Sequence, residues 1–225
     1  MNYLSHYYFD QHSNDPELIL GGLLPDLVHS FEKKGTLKPT KHLTELGQDP
    51  PMASLLRGWE RHKAIDKYFH GAEFFVRETE YLKVQLREVF TNPGPYIFFM
   101  AHILLELCLD SLLVRTRRVD PQKVYDELGK IAPDTLERFF TIAESTNPAG
   151  FYLYLQNFIR QGFLLSYGEP AGIIYATDRI CERLWKTRFT DDEKERLSAL
   201  ITAYQQLLEP RFTNIYQEIN ALDLP

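Results

Sequence analysis

The stretch from Pro95 to about Arg115 carries apolar residues on nearly every side of a helix, and this feature constrains the chain most. A helix that is apolar all round cannot lie on a surface and needs other elements packed about it. His102, Glu106 and Asp110 interrupt the run between Tyr96 and Val114, so it reads as a buried central helix and not as a membrane span. The neighbouring sequence offers the sheath. From Met52 to about Phe69, residues Leu55, Leu56, Trp59, Ile65 and Phe69 recur at mostly three-to-four spacing. From Ala72 to Phe90, residues Phe75, Leu82, Leu86 and Phe90 share a face.

Helix starts are marked along the rest of the chain. Asp15-Pro16-Glu17 reads as an N-cap followed by proline at the first helical position. Asp120-Pro121 and Pro133-Asp134 are further starts, and two aromatic-rich segments run roughly 149–166 and 170–187. Thr190-Asp191-Asp192-Glu193 resembles a capping box ahead of a last helix with Leu197, Ile201, Tyr204 and Leu208 on its face. Three interruptions are expected. Gly21-Gly22 weakens the first long helix, which Pro25 restarts; 33–51 is a structureless lid or binding loop; Pro210 kinks or divides the last helix. No strand-like alternation and no repeat competes. The expectation is an all-α multi-helix bundle forming a single domain over 1–225, with 1–118 bearing the site and 119–225 as scaffold helices. A chain of 225 residues can bury such a core without disulfides.

Charge and composition narrow the function. A net charge of −6 argues against a nucleic-acid partner recruited by bulk positive charge. Two cysteines, Cys108 and Cys181, make no disulfide framework, and apolar helical surroundings favour inert thiols. The opening Met1-Asn2-Tyr3-Leu4-Ser5-His6 lacks a basic region and a long apolar run, so the expected location is cytoplasmic with no membrane partner. No nucleophile elbow, Walker loop or dinucleotide fingerprint is present.

The histidines stand out, because all seven lie in the first 102 residues. His62 and Asp66 are four apart in a helical segment, and so are His102 and Glu106, with Asp110 one turn further. Such a pair binds one cation, or the carboxylate orients the imidazole, or the two share an exposed face incidentally. For the second pair the apolar setting matters, since a buried carboxylate requires a cation, and an Arg or Lys would also serve. With His6 and Asp26 these residues supply N and O donors without thiolate, a set suited to a hydrolytic Mn, Fe, Mg or Zn centre. His12, His42 and His70 read as surface or loop residues, and His29 is a reserve candidate.

Taken in order, Met1-Asn2-Tyr3-Leu4-Ser5-His6, Gly21-Gly22-Leu23-Leu24-Pro25-Asp26 and His62-Lys63-Ala64-Ile65-Asp66 resemble the acyl carrier protein phosphodiesterase family. Its members open Asn-Phe-Leu-Ala-His, continue Gly-Asn-Leu-Leu-Ala-Asp and carry His-Arg-x-Ile-Asp. The segment Leu165 to Ile173, followed by Arg179 to Arg183, is similar to the family's later Trp-Leu-x-x-Tyr…Gly-Ile…Arg pattern. The resemblance implies an all-helical relative of the HD-domain metal-dependent phosphohydrolases. It also implies Mn²⁺-assisted hydrolysis of the phosphodiester between 4′-phosphopantetheine and a carrier-protein serine. Residue by residue, His6, Asp26, His62 and Asp66 carry over. The family's Asp-x-x-x-Asp-His does not: Ile97 and Ala101 replace both aspartates, only His102 is kept, and Lys63 replaces the arginine. Glu106 and Asp110, one and two turns on, are the compensating carboxylates.

Two readings follow. In the first, His6, Asp26, His62, Asp66, His102 and Glu106 hold the metal. Asp26 or Asp66 serves as base, and Lys63, Arg57 or Arg61 neutralises phosphate on acyl carrier protein or on a small phosphodiester. In the second, the chain is a non-catalytic helical binding module with a degenerate metal site. Its basic stretches, Lys33–Lys41 and Arg115-Thr116-Arg117-Arg118, would then meet an acidic partner. The sequence sets no oligomeric state.

Overall fold

The computed structural model describes residues 1–32, 37–90, 96–222 and 224. Among the described residues twelve α-helices follow one another: α1 Tyr3–Asp10, α2 Pro16–Phe31, α3 Leu43–Gly47, α4 Pro50–Gly71, α5 Glu73–Val89, α6 Ile97–Arg115, α7 Pro121–Leu128, α8 Pro133–Ile142, α9 Pro148–Gln161, α10 Pro170–Trp185, α11 Asp191–Leu208 and α12 Thr213–Asn220. Short 3₁₀ turns lie at Pro39–Lys41 and Phe163–Gly168, and no strand occurs among the described residues. The all-α expectation holds.

The boundaries have local causes. Asp15, Asp120 and Asn147 each cap a helix by accepting from a backbone N–H two or three residues on, and a proline follows each cap. Thr190 and Glu193 close a full capping box at the start of α11. Pro210 falls between α11 and α12 and divides them.

The helices gather into two compact units, each drawn from both halves of the chain. The first is built from Met1–Ser5, Lys67–Arg118 and Phe163–Leu222, the second from His6–Asp66 and Val119–Gly162. The first surrounds α6, which packs against α5, α10, α11 and the 163–168 turn. Leu104, Leu105, Cys108, Leu109 and Leu112 are fully or almost fully buried there. By length and composition α6 is apolar enough to cross a membrane, but most of it is buried in this unit. Its start at Pro95 lies outside the described residues. Asp110, also fully buried, accepts from the backbone of Leu4 at 3.0 Å, the backbone of Ser5 at 2.8 Å and Ser5 Oγ at 2.6 Å. It satisfies the opening turn of α1 and is not free to serve as a ligand.

In the second unit α2 packs against α7 and α9, and α8 packs against α9 and α3. Two expectations are corrected here. The segment 33–51 contains the Pro39–Lys41 turn and α3, and α4 begins at Pro50; 33–36 lie outside the described residues. Helix α2 is also unbroken through Gly21, Gly22 and Pro25. The glycines are there for proximity. A Cβ on Gly21 would meet the Leu55 carbonyl at 2.3 Å, and one on Gly58 would meet the Leu18 carbonyl at 2.2 Å. Backbone meets backbone where α2 crosses α4. Packing of that closeness outweighs the helix propensity lost at two glycines.

Candidate functional site

The α2–α4 crossing builds the first group of donors. Pro25 has no N–H to give the Gly21 carbonyl, which loosens the helix turn there. The next carbonyl, that of Gly22, accepts from His62 Nδ1 at 2.7 Å. This bond fixes the tautomer and turns the Nε2 lone pair of His62 away from the backbone, as a second-shell partner does for a ligating imidazole. Asp66, one turn along α4, brings Oδ2 to 3.5 Å from that Nε2. His6, delivered by α1, stacks on His62 with ring centroids 3.7 Å apart and planes 17° from parallel. Its Nε2 lies 3.2 Å from Asp66 Oδ1, yet neither ring nitrogen closes a hydrogen bond of acceptable geometry. Asp26 Oδ1 reaches to 3.9 Å from His62 Nε2.

Electrostatics suit a cation. Burial, then the neighbouring His62 ring, push His6 down to about 3, so it is a neutral base at any physiological pH. Burial works to raise Asp66, but contacts with His6 and His62 outweigh it and hold the carboxyl well below the usual range. Two imidazoles and an ionised carboxylate, with donor atoms within 4.8 Å of one another, fit a divalent ion. The poorly satisfied His6 ring is the structural sign of that fit.

His102 and Glu106 belong elsewhere. They meet His70 in the unit around α6, forming a separate group of three donors. His102 Nε2 is 2.8 Å from Glu106 Oε1, and His70 Nε2 is 3.0 Å from His102 Nε2 and 3.3 Å from Glu106 Oε1. The Met1 α-amino group lies 3.0 Å from the same Oε1. Burial acts to raise Glu106, and the α-ammonium and both imidazoles reverse this, leaving it well below the ordinary value. The reading of His70 as a surface residue is therefore corrected. Its signal was present in the sequence: on α4 it follows His62 and Asp66 at the same four-residue step.

The remaining candidates have other occupations. Lys63 is exposed, with Nζ 5.7 Å from the Trp59 ring centroid. Arg61 pairs with Asp10 at 3.3 Å, and Arg57 donates to Ser54 Oγ at 2.8 Å beside Asp15. His12 and His29 are exposed, and His42 pairs with Glu144 at 3.3 Å. Within the basic stretches three residues have partners, and Lys33 and Lys34 lie outside the described residues. Lys38 meets Glu144, Arg115 donates to Gln205, and Arg118 lies over Phe212. Both cysteines are buried, and burial pushes the Cys181 thiol up to about 12.

A family model described as acyl carrier protein phosphodiesterase matches residues 1–219. No curated protein and no solved structure matches the chain.

Proposed function

The chain belongs to the acyl carrier protein phosphodiesterase family, and on that premise we propose that it hydrolyses the phosphodiester linking 4′-phosphopantetheine to a carrier-protein serine. His6, His62, Asp66 and Asp26 would hold a divalent metal for the reaction, with Mn²⁺ the ion the resemblance favours and Fe, Mg or Zn the others. The observation that carries this reading is the convergence of two imidazoles and a carboxylate, with His62 locked through Nδ1 on the Gly22 carbonyl. Held there, a divalent cation would supply Lewis-acid polarisation of a phosphoryl oxygen and a lowered pKa for bound water.

The chain's own groups do the rest. His6 enters as a neutral donor, and Asp66 remains ionised within 3.5 Å of the Nε2 atoms of both rings. Asp26, about a third exposed and 3.9 Å from His62 Nε2, is the carboxylate that stands off from both imidazoles. It takes a proton from the attacking water as the new P–O bond forms. The bond from phosphorus to the serine oxygen breaks, and that oxygen receives the proton. The products are apo carrier protein and 4′-phosphopantetheine.

The alternative, a binding module with a degenerate site, drew on Ile97 and Ala101. Both are core residues of α6, and the four donors of the His62 group are present without them. Its other support, the basic stretches, is weakened where Lys38, Arg115 and Arg118 already have partners within the chain. The test is mass spectrometry of holo carrier protein incubated with chelator-stripped protein, with and without Mn²⁺, Fe²⁺, Mg²⁺ or Zn²⁺. Conversion to apo carrier protein that needs a metal and is lost in Asp66→Asn is expected. No conversion by the parent chain with any of these ions would defeat the reading.

A further inference from the structure

We propose that His70, His102 and Glu106 form a second divalent transition-metal site, built independently of the His62 group. The three donor atoms form a triangle. His70 Nε2, His102 Nε2 and Glu106 Oε1 stand 3.0, 3.3 and 2.8 Å from one another. Each ring nitrogen offers one in-plane direction, holding either a proton or a lone pair. With Glu106 ionised, protonating both nitrogens sets two N–H groups against each other. Leaving one bare aims its lone pair at a carboxylate oxygen. No arrangement of imidazole protons makes all three contacts favourable.

One ion does. Three lone pairs at these separations match donors on one face of an octahedral or tetrahedral ion about 2.0–2.2 Å away. Two imidazoles with one carboxylate select Zn, Fe, Mn or Co over the harder Mg and Ca. The Met1 α-amino group, 3.0 Å from Glu106 Oε1, compensates charge on that oxygen. The rings are also held in place. Phe75 presents its edge to both His70 and His102 at centroid distances of 5.0 Å, and Phe99 flanks His102 at 5.8 Å. With His70 a third exposed and His102 a quarter exposed, an ion here keeps positions open to water.

Titration of the chelator-stripped full chain with Co²⁺, followed by visible absorption and calorimetry, tests this. The parent binds two equivalents. His70→Ala and Glu106→Gln each lose one equivalent and keep the other, while His62→Ala loses the other and keeps the first. Circular dichroism confirms that each variant folds. On the parent itself, Zn²⁺ shifts the imidazole ¹⁵N resonances of His70 and His102, so the result does not depend on any variant. A single equivalent that survives His70→Ala overturns the proposal, as does a single equivalent lost in both His70→Ala and His62→Ala, or unshifted His70 and His102 resonances. Binding lost only at the His62 group would leave this site standing and sink the phosphodiesterase mechanism alone.

Discussion

The two histidine–carboxylate groups use the same donors and are built in opposite ways. In the His62 group the imidazoles stack face to face and are almost completely buried, and a backbone carbonyl fixes one of them. In the His70 group the rings meet at 70° with centroids 4.8 Å apart, stand partly in solvent, and are oriented by phenylalanine edges. A backbone anchor cannot rotate, whereas an aromatic wall permits small rotations of the ring. The first arrangement is the one expected where donor geometry must be exact at a reacting phosphate. The second tolerates a range of ions.

The largest effect that could break this contrast concerns chemistry. Asp66→Asn keeps the shape of the side chain but removes the anionic donor between His6 and His62. Phosphodiester hydrolysis should fall by about 10³-fold, the scale of several kcal/mol of lost transition-state stabilisation. Retained secondary structure by circular dichroism would assign the loss to the site. A loss of less than tenfold would mean that Asp66 is not a ligand.

Next in size is the crossing that makes the first group possible. Gly58→Ala places a methyl 2.2 Å from the Leu18 carbonyl, a backbone atom that cannot swing aside. The helices must separate, at a cost of about 3 kcal/mol in urea unfolding. Because the Gly22 carbonyl moves with α2, cation binding at His62 should weaken as well. Full stability in this variant would show that the crossing is looser than the glycines suggest.

A smaller effect separates the two ways of holding a ring. Pro25→Ala restores an N–H that bonds the Gly21 carbonyl, which tightens the turn of α2 and shifts the adjacent Gly22 carbonyl that holds His62. Phe75→Leu removes the edge that both His70 and His102 touch. Each should cost its own group about tenfold in cation affinity, the range expected for lost second-shell support, and leave the other group unchanged. Calorimetric titration of both variants reads this directly.

These features differ in how far the sequence disclosed them. Caps and prolines act within one turn, so Asp15-Pro16 and Thr190 to Glu193 announced their helices, and the all-round apolar run announced α6. The His62–Asp66 and His102–Glu106 pairs were legible because four-residue spacing shares a helix face. The role of His70 is hidden in the sequence, because its partners come from α6 and only tertiary packing joins them. Gly21-Gly22 looked like a weakness because its partner backbone, around Leu55 and Gly58, is likewise remote in sequence. Asp110 looked like a ligand until α1 arrived to use both its oxygens.

The smallest expected effect compares one buried titratable group from each unit in chelator-stripped protein. His6 is pushed down to about 3 from an ordinary 6.5, with burial the main cause. The unfolded chain therefore binds the extra proton between those values, and His6 makes stability rise with pH from about 3 to 6.5. Asp110 is pushed up to about 7 from 3.8, because burial outweighs its three donors. Here the folded chain holds the extra proton, and stability falls as pH rises from about 4 to 7. Asp10, raised by burial to about 6, acts in the same direction as Asp110. Each slope is at most about 1.4 kcal/mol per pH unit, so His6 offsets one of the two carboxyls and the parent keeps a net fall between about pH 4 and 6. Relative to the parent, His6→Gln should then lose stability as pH rises across that window, and Asp110→Asn should gain it. Urea midpoints at pH 4.5 and 6.5 read both signs. Parallel profiles for His6→Gln and the parent would mean that the His6 ring takes up its proton in the folded chain, and the first group would then lack the neutral imidazole that a cation requires.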